Sequence, residues 1–130
     1  LLSLNLYSNS NTSDFLIKKN NVLPANEAFN IETTINDDSI LISWDVIEGY
    51  YLYSKSIKIE NNYEALNFEV LESEESIHND EFFGESKILR DKILIKLNKS
   101  TGLDLNNILI KYQGCADVGI CYPVQIHKLL

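Results

Sequence analysis

The dominant spacing of apolar side chains along the chain is two. Phe29, Ile31 and Thr33 alternate with polar neighbours; after the turn-forming run Asn36-Asp37-Asp38-Ser39, Ile40, Ile42, Trp44 and Val46 resume the alternation. Alternate residues of an extended chain share a face, so each run predicts a strand with one side turned to a core. Glu48-Gly49 breaks the pattern before Tyr50-Tyr51-Leu52-Tyr53, and Ile57 and Ile59 carry it on. Phe68, Val70 and Leu71 predict a further strand. Ile93, Ile95 and Leu97 predict another, closed by Asn98-Lys99-Ser100-Thr101-Gly102. Ile108, Ile110 and Tyr112 make the next, and Val124, Ile126 and Lys128-Leu129 the last. Ahead of them, Leu23-Pro24-Ala25-Asn26-Glu27-Ala28-Phe29 has the residues for one helical turn. No segment sustains a 3.6-residue period. About seven short strands separated by turn chemistry predict an all-β chain folded as an antiparallel β-sandwich.

Residues 1–22 are rich in Asn and Ser and carry one apolar cluster, Phe15-Leu16-Ile17. They are expected to form an irregular N-terminal arm, leaving 23–130 as one domain. A chain of 130 residues can build a core without staples, and 45% hydrophobic with 23% charged residues is globular rather than disordered. The net charge of −8 argues against nucleic acid and against anionic membrane surfaces. No run approaches the length of a membrane span, and Leu1-Leu2-Ser3-Leu4-Asn5-Leu6 is too interrupted for a signal-peptide core. The chain has no methionine, so it is expected to be a processed or excised piece of a longer product.

The candidate chemistry lies in Tyr112-Gln113-Gly114-Cys115-Ala116-Asp117-Val118-Gly119-Ile120-Cys121-Tyr122-Pro123. A hairpin-like connection between two strands would bring Cys115 and Cys121 within disulfide reach, with Asp117 and Gly119 as turn residues. Three readings stay open on the residues alone. One is a purely structural disulfide, worth roughly 2–3 kcal/mol for so short a loop. Another is a metal site with His127 or His78, although the cysteine spacing is wider than structural zinc uses. The third is a dithiol–disulfide exchange site. It is not a Cys-x-x-Cys on a helix N-terminus, and Asp117 lies between the cysteines, so the thiolate should be disfavoured and the free protein a sluggish nucleophile.

The same segment closely resembles the active-site segment of the DsbD N-terminal family, the periplasmic domain of a thiol:disulfide interchange protein. Gly49-Tyr50-Tyr51-Leu52-Tyr53 is similar to an early strand of that domain. Asp80-Glu81-Phe82-Phe83-Gly84-Glu85-Ser86 with Leu89-Arg90-Asp91 resembles its cap loop and the following strand, and Leu23-Pro24-Ala25 through Phe29 fits its opening. Val118, Ile120 and Val124-Gln125 depart from the family's segment. The resemblance spans roughly 23–127 and implies an immunoglobulin-like sandwich without a bound cofactor, its redox group being the Cys115–Cys121 disulfide. It implies a monomeric soluble domain of a membrane-embedded periplasmic reductase. Such a domain takes electrons from a thioredoxin-like domain of the same parent and passes them to periplasmic thioredoxin-fold acceptors, a disulfide isomerase and a cytochrome c maturation reductant. Cys121 would form the mixed disulfide and Cys115 would resolve it. Phe82 would cover the pair, and Tyr51, Tyr53 and Tyr122 would line or adjoin the cleft.

Physically, Asp80-Glu81-Phe82-Phe83-Gly84 places two rings in a polar loop. They either turn into the core or lie over the disulfide, where sulfur–aromatic contact is mildly favourable. Asp80 and Glu81, if over the cysteines, would raise the thiol pKa values by like-charge repulsion and could handle protons. The competing function is an immunoglobulin-like adhesion or chaperone module whose disulfide is only structural.

Overall fold

The computed structural model describes residues 21–81 and 83–130. Most of the expected arm, with its Phe15-Leu16-Ile17 cluster, and Phe82 lie outside the described residues. One helical turn, α1 (Ala25–Ala28), leads into β1 (Phe29–Ile35). Then follow β2 (Ser39–Val46), β3 (Tyr50–Tyr53), β4 (Lys58–Asn61), β5 (Glu64–Leu66), β6 (Glu69–Asp80) and β7 (Gly84–Asn98). After these come β8 (Ile108–Tyr112), β9 (Gly114–Ala116), β10 (Ile120–Cys121) and β11 (Gln125–Lys128).

The strands pair antiparallel in two sheets that form the immunoglobulin-like sandwich. One runs β1-β2-β7-β3-β9-β10 with β6 also on β7, and the other runs β11-β8-β4-β5. β7 organises the first sheet. Its C-terminal half pairs with β2, as in Ile42 with Ile95, while its N-terminal half pairs with β3, as in Leu52 with Leu89. The alternation in β2 has its expected result: Ile40, Ile42 and Trp44 are fully buried. They meet Ile93, Ile95 and Leu97 of their own sheet and Ile59, Ile108, Ile110 and Tyr112 of the facing one. Burying a side chain of this size contributes about 1.5–3 kcal/mol, so this interface is the main source of stability.

The expected short strand at Phe68–Leu71 is instead the start of the twelve-residue β6, and β7 is fifteen residues long. The sequence hid this hairpin because β6 is a sheet edge whose Glu72, Glu74 and Glu75 are exposed, so no buried face enforces alternation. The Asp80–Gly84 segment is the tip of that hairpin.

A second, smaller apolar cluster forms on the opposite face of the first sheet. Strand alternation sends Leu52 and Leu89 into the main core and sends Tyr51, Tyr53 and Ile88 outward, where they gather with Cys115. The candidate chemistry sits in this outer cluster.

Candidate active site

Cys115 and Cys121 face each other across the β9–β10 hairpin and are joined as a disulfide, Cα to Cα 4.0 Å. The hairpin loop is Asp117-Val118-Gly119. Gly119 takes φ 103°, and its N–H donates to the Ala116 carbonyl at 2.9 Å, as a three-residue hairpin requires. On the other side of the pair, the Tyr122 N–H donates to the Gly114 carbonyl at 3.0 Å. The cysteines therefore occupy the closely spaced position of an antiparallel ladder.

Gly114 seats this hairpin. A Cβ there would collide with the Tyr51 carbonyl oxygen and come within 2.7 Å of the Phe29 ring. Only glycine lets β9 lie flat on β3 with Phe29 beneath it. Gln113 holds the strand entry: its N–H donates to Ser56 Oγ at 2.9 Å and its side-chain amide donates to the Tyr122 carbonyl at 3.0 Å. The two cysteines differ in access. Cys115 is fully buried, whereas Cys121 is half-buried at the rim.

The tip of the β6–β7 hairpin lies over the outer cluster. The Phe83 ring packs edge-on against Tyr53 with centroids 4.6 Å apart, and the His78 ring lies 4.9 Å from Tyr51. Asp80 accepts a short hydrogen bond from the Tyr53 hydroxyl and a longer one, 3.5 Å, from Tyr51. It also caps the tip by accepting from the Phe83 N–H at 2.8 Å. The Tyr53 oxygen is 3.4 Å from Cys115 Sγ and 4.0 Å from Cys121 Sγ. A carboxylate, a phenol and the sulfurs thus form one connected set.

Electrostatics follow from that packing. Burial, then the hydrogen bond to Asp80, push the Tyr53 phenol far above its ordinary value. Burial also raises Tyr51, with Asp80 and Asp117 adding repulsion and the hydrogen bond with Tyr53 opposing. Both phenols stay neutral donors throughout the physiological range.

Several sequence expectations meet the structure differently. Tyr122 does not adjoin the outer cluster; its ring lies in the main core 5.3 Å from Phe29, and its hydroxyl donates to the Leu23 carbonyl at 2.5 Å. It follows Cys121 by one residue, so alternation sends it to the other face. Asp117 does not act as a bare charge between the cysteines. It forms a two-pronged pair with Arg90, at 2.8 and 3.2 Å. Glu81 is exposed at the hairpin tip. His127 lies on β11, in the sheet that does not carry the cysteines. Among the described residues no three His, Cys, Asp or Glu side chains gather as a metal site. Arg90 and Gln113 carry no local signature in the sequence, because their partners Asp117 and Ser56 lie 27 and 57 residues away.

Residues 19–130 match the family model described as thiol:disulfide interchange protein DsbD, N-terminal. The chain is 40% identical over 118 residues to the thiol:disulfide interchange protein DsbD of Pectobacterium atrosepticum, covering 91% of this chain and 19% of that protein. It is 35% identical over 101 residues to the DsbD of Shigella boydii, covering 78% and 18% respectively. The chain thus spans about a fifth of the length of these relatives. Among solved structures, the reduced DsbD N-terminal domain of Neisseria meningitidis superposes with a TM-score of 0.69 at 27% identity, over 82% of this chain and 86% of that one. The same organism's complex between the DsbD N-terminal and PilB N-terminal domains gives a TM-score of 0.59 at 26% identity, over 81% and 83%.

Proposed function

The chain belongs to the DsbD N-terminal family, and from that premise we propose that it is a protein-disulfide reductase module that passes two electrons at a time through Cys115 and Cys121. In the reduced module, the Cys121 thiolate attacks a disulfide of the acceptor protein. One acceptor sulfur leaves as thiolate and a mixed disulfide forms. The Cys115 thiolate then attacks Cys121 Sγ, the second acceptor sulfur leaves, and the Cys115–Cys121 bond closes. Two electrons and two protons have moved from the dithiol to the acceptor.

The observation that carries this reading is the asymmetry of the pair. Cys121 stands at the rim where another protein's sulfur can approach, while Cys115 is sealed beneath it. The complex known for the Neisseria domain supports a protein as the exchange partner. We assign the electron donor to a thioredoxin-like domain of the same parent and the acceptors to periplasmic thioredoxin-fold proteins, a disulfide isomerase and a cytochrome c maturation reductant among them. The module, residues 23–130, works as a monomer in the periplasm, and its parent is embedded in the membrane. Among the described residues no helix is long and apolar enough to cross a membrane. Asp80, Glu81 and Phe83 form a cap that limits access to the pair until a partner docks, with Tyr51 and Tyr53 as its floor, and the family resemblance assigns Phe82, outside the described residues, to the same role. Phe82→Ala should then speed attack by dithiothreitol.

Trapping tests the assignment. Reduced Cys115→Ala protein, mixed with an oxidised thioredoxin-fold disulfide isomerase, should accumulate a covalent one-to-one adduct through Cys121. The absence of any adduct, with the protein folded, would favour a purely structural disulfide.

A further inference from the structure

Arg90 fastens the cysteine hairpin to the sheet by contacts that do not involve the disulfide. It precedes Asp91, which adopts a left-handed φ of 65°. The β6–β7 register shifts opposite this point, and the other edge of β7 changes there from β2 to β3. A bulge of this kind re-aims the neighbouring side chain. The Arg90 guanidinium consequently reaches over β3. It donates to the Tyr50 carbonyl at 3.1 Å and to the two Asp117 carboxylate oxygens at 3.2 and 2.8 Å, and its carbon lies 5.2 Å from the centre of the Tyr51 ring. One side chain thus ties β7, β3 and the β9–β10 loop together. The Asp117 backbone N–H adds a bond to the Gly49 carbonyl at 2.8 Å. Glu48, Glu74 and Asp91 line the same cavity, and the carboxylate that Arg90 pairs with is the one on the cysteine loop.

Strands of three and two residues form a hairpin that is marginal by itself. While the disulfide exists, it holds the hairpin closed. In the dithiol and in the mixed disulfide that bond is absent, and the resolving step still needs Cys115 against Cys121 Sγ. We propose that Arg90 is a positioning residue for exchange: its two-pronged grip on Asp117 keeps the hairpin docked when the disulfide is open and so sets the effective concentration of Cys115 toward Cys121. This rests on the exchange function proposed above. The planar guanidinium suits the task because a fork of two parallel bonds fixes orientation as well as distance.

Glutathione is the probe. The dithiol and one oxidised glutathione give the Cys115–Cys121 disulfide and two reduced glutathiones, so the equilibrium constant reports the effective concentration directly. Arg90→Gln and Asp117→Asn should each lower it about fivefold, seen as a potential about 20 mV more oxidising for this two-electron couple. The double variant should fall no further than either single, and Arg90→Lys should recover part of the loss. A fluorescence unfolding curve of each oxidised variant checks that the fold is retained; Asp117→Asn, in an exposed loop, keeps the test valid should Arg90→Gln fail to fold. Unchanged constants in folded Asp117→Asn, or multiplicative losses in the double variant, would overturn the latch. If the unsubstituted protein forms no mixed disulfide with a thioredoxin-fold protein, the exchange function itself fails, which is a separable result.

Discussion

The Tyr53 hydroxyl oxygen lies 3.4 Å from Cys115 Sγ while its proton is given to Asp80. A buried sulfur is thereby coupled through one phenol to a carboxylate of the hairpin tip. When the pair is reduced, the Asp80 charge opposes a second negative charge on either sulfur. The reactive thiol of the reduced protein should therefore titrate above the free-cysteine value of about 8.5, and Asp80→Asn should lower it. Alkylation rate against pH measures both; a wild-type thiol titrating below 7 would contradict the first expectation.

Phe83 is 54% exposed while its ring packs on Tyr53, so it gains little from burial, and the proposed cap gives it a screening role instead. Phe83→Ala should leave the free energy of unfolding within about 0.5 kcal/mol of wild type, as surface substitutions do. It should raise the rate of reduction by dithiothreitol severalfold. An unchanged rate would remove Phe83 from the cap.

Gly114→Ala drives a methyl into the Tyr51 carbonyl and the Phe29 ring. Because the obstacle is backbone on one side and a core ring on the other, relief requires β9 to shift. The expected loss is about 1–3 kcal/mol in urea unfolding, the usual cost of overpacking. A loss under about 0.5 kcal/mol would mean that the hairpin seat is loose.

The buried phenols set an alkaline limit. Tyr51, Tyr53, Tyr112 and Tyr122 all hold their protons more tightly in the folded chain, chiefly through burial. The unfolded chain releases these protons near pH 10 and the folded one later. Their contribution to stability is thus fully present below about pH 10 and is lost as pH rises beyond it. Urea midpoints measured between pH 8 and 11 should fall above pH 10, and Tyr53→Phe should fall less steeply.

Much of this architecture is legible in the chain. Ile40, Ile42, Trp44 and Val46 declare β2 because a strand buried on one face must alternate, and the glycines around Cys115 and Cys121 declare the hairpin because its backbone needs them. Residues 72–80 declare nothing: an edge strand with glutamates on its solvent side lacks a pattern to read. Tyr122 reads in the sequence as a neighbour of Cys121, whereas alternation turns its ring to the main core against Phe29. The Arg90–Asp117 pair is invisible because an ion pair between a half-buried strand residue and an exposed loop residue 27 positions away leaves no local signature.

The reduction potential of the Cys115–Cys121 pair tests the exchange function most directly. Equilibrated in glutathione buffers and read by the fraction of free thiol, an exchanging disulfide should give a value near −200 mV. A value below about −300 mV would mark a bond that persists in its compartment and would contradict a role in electron transfer.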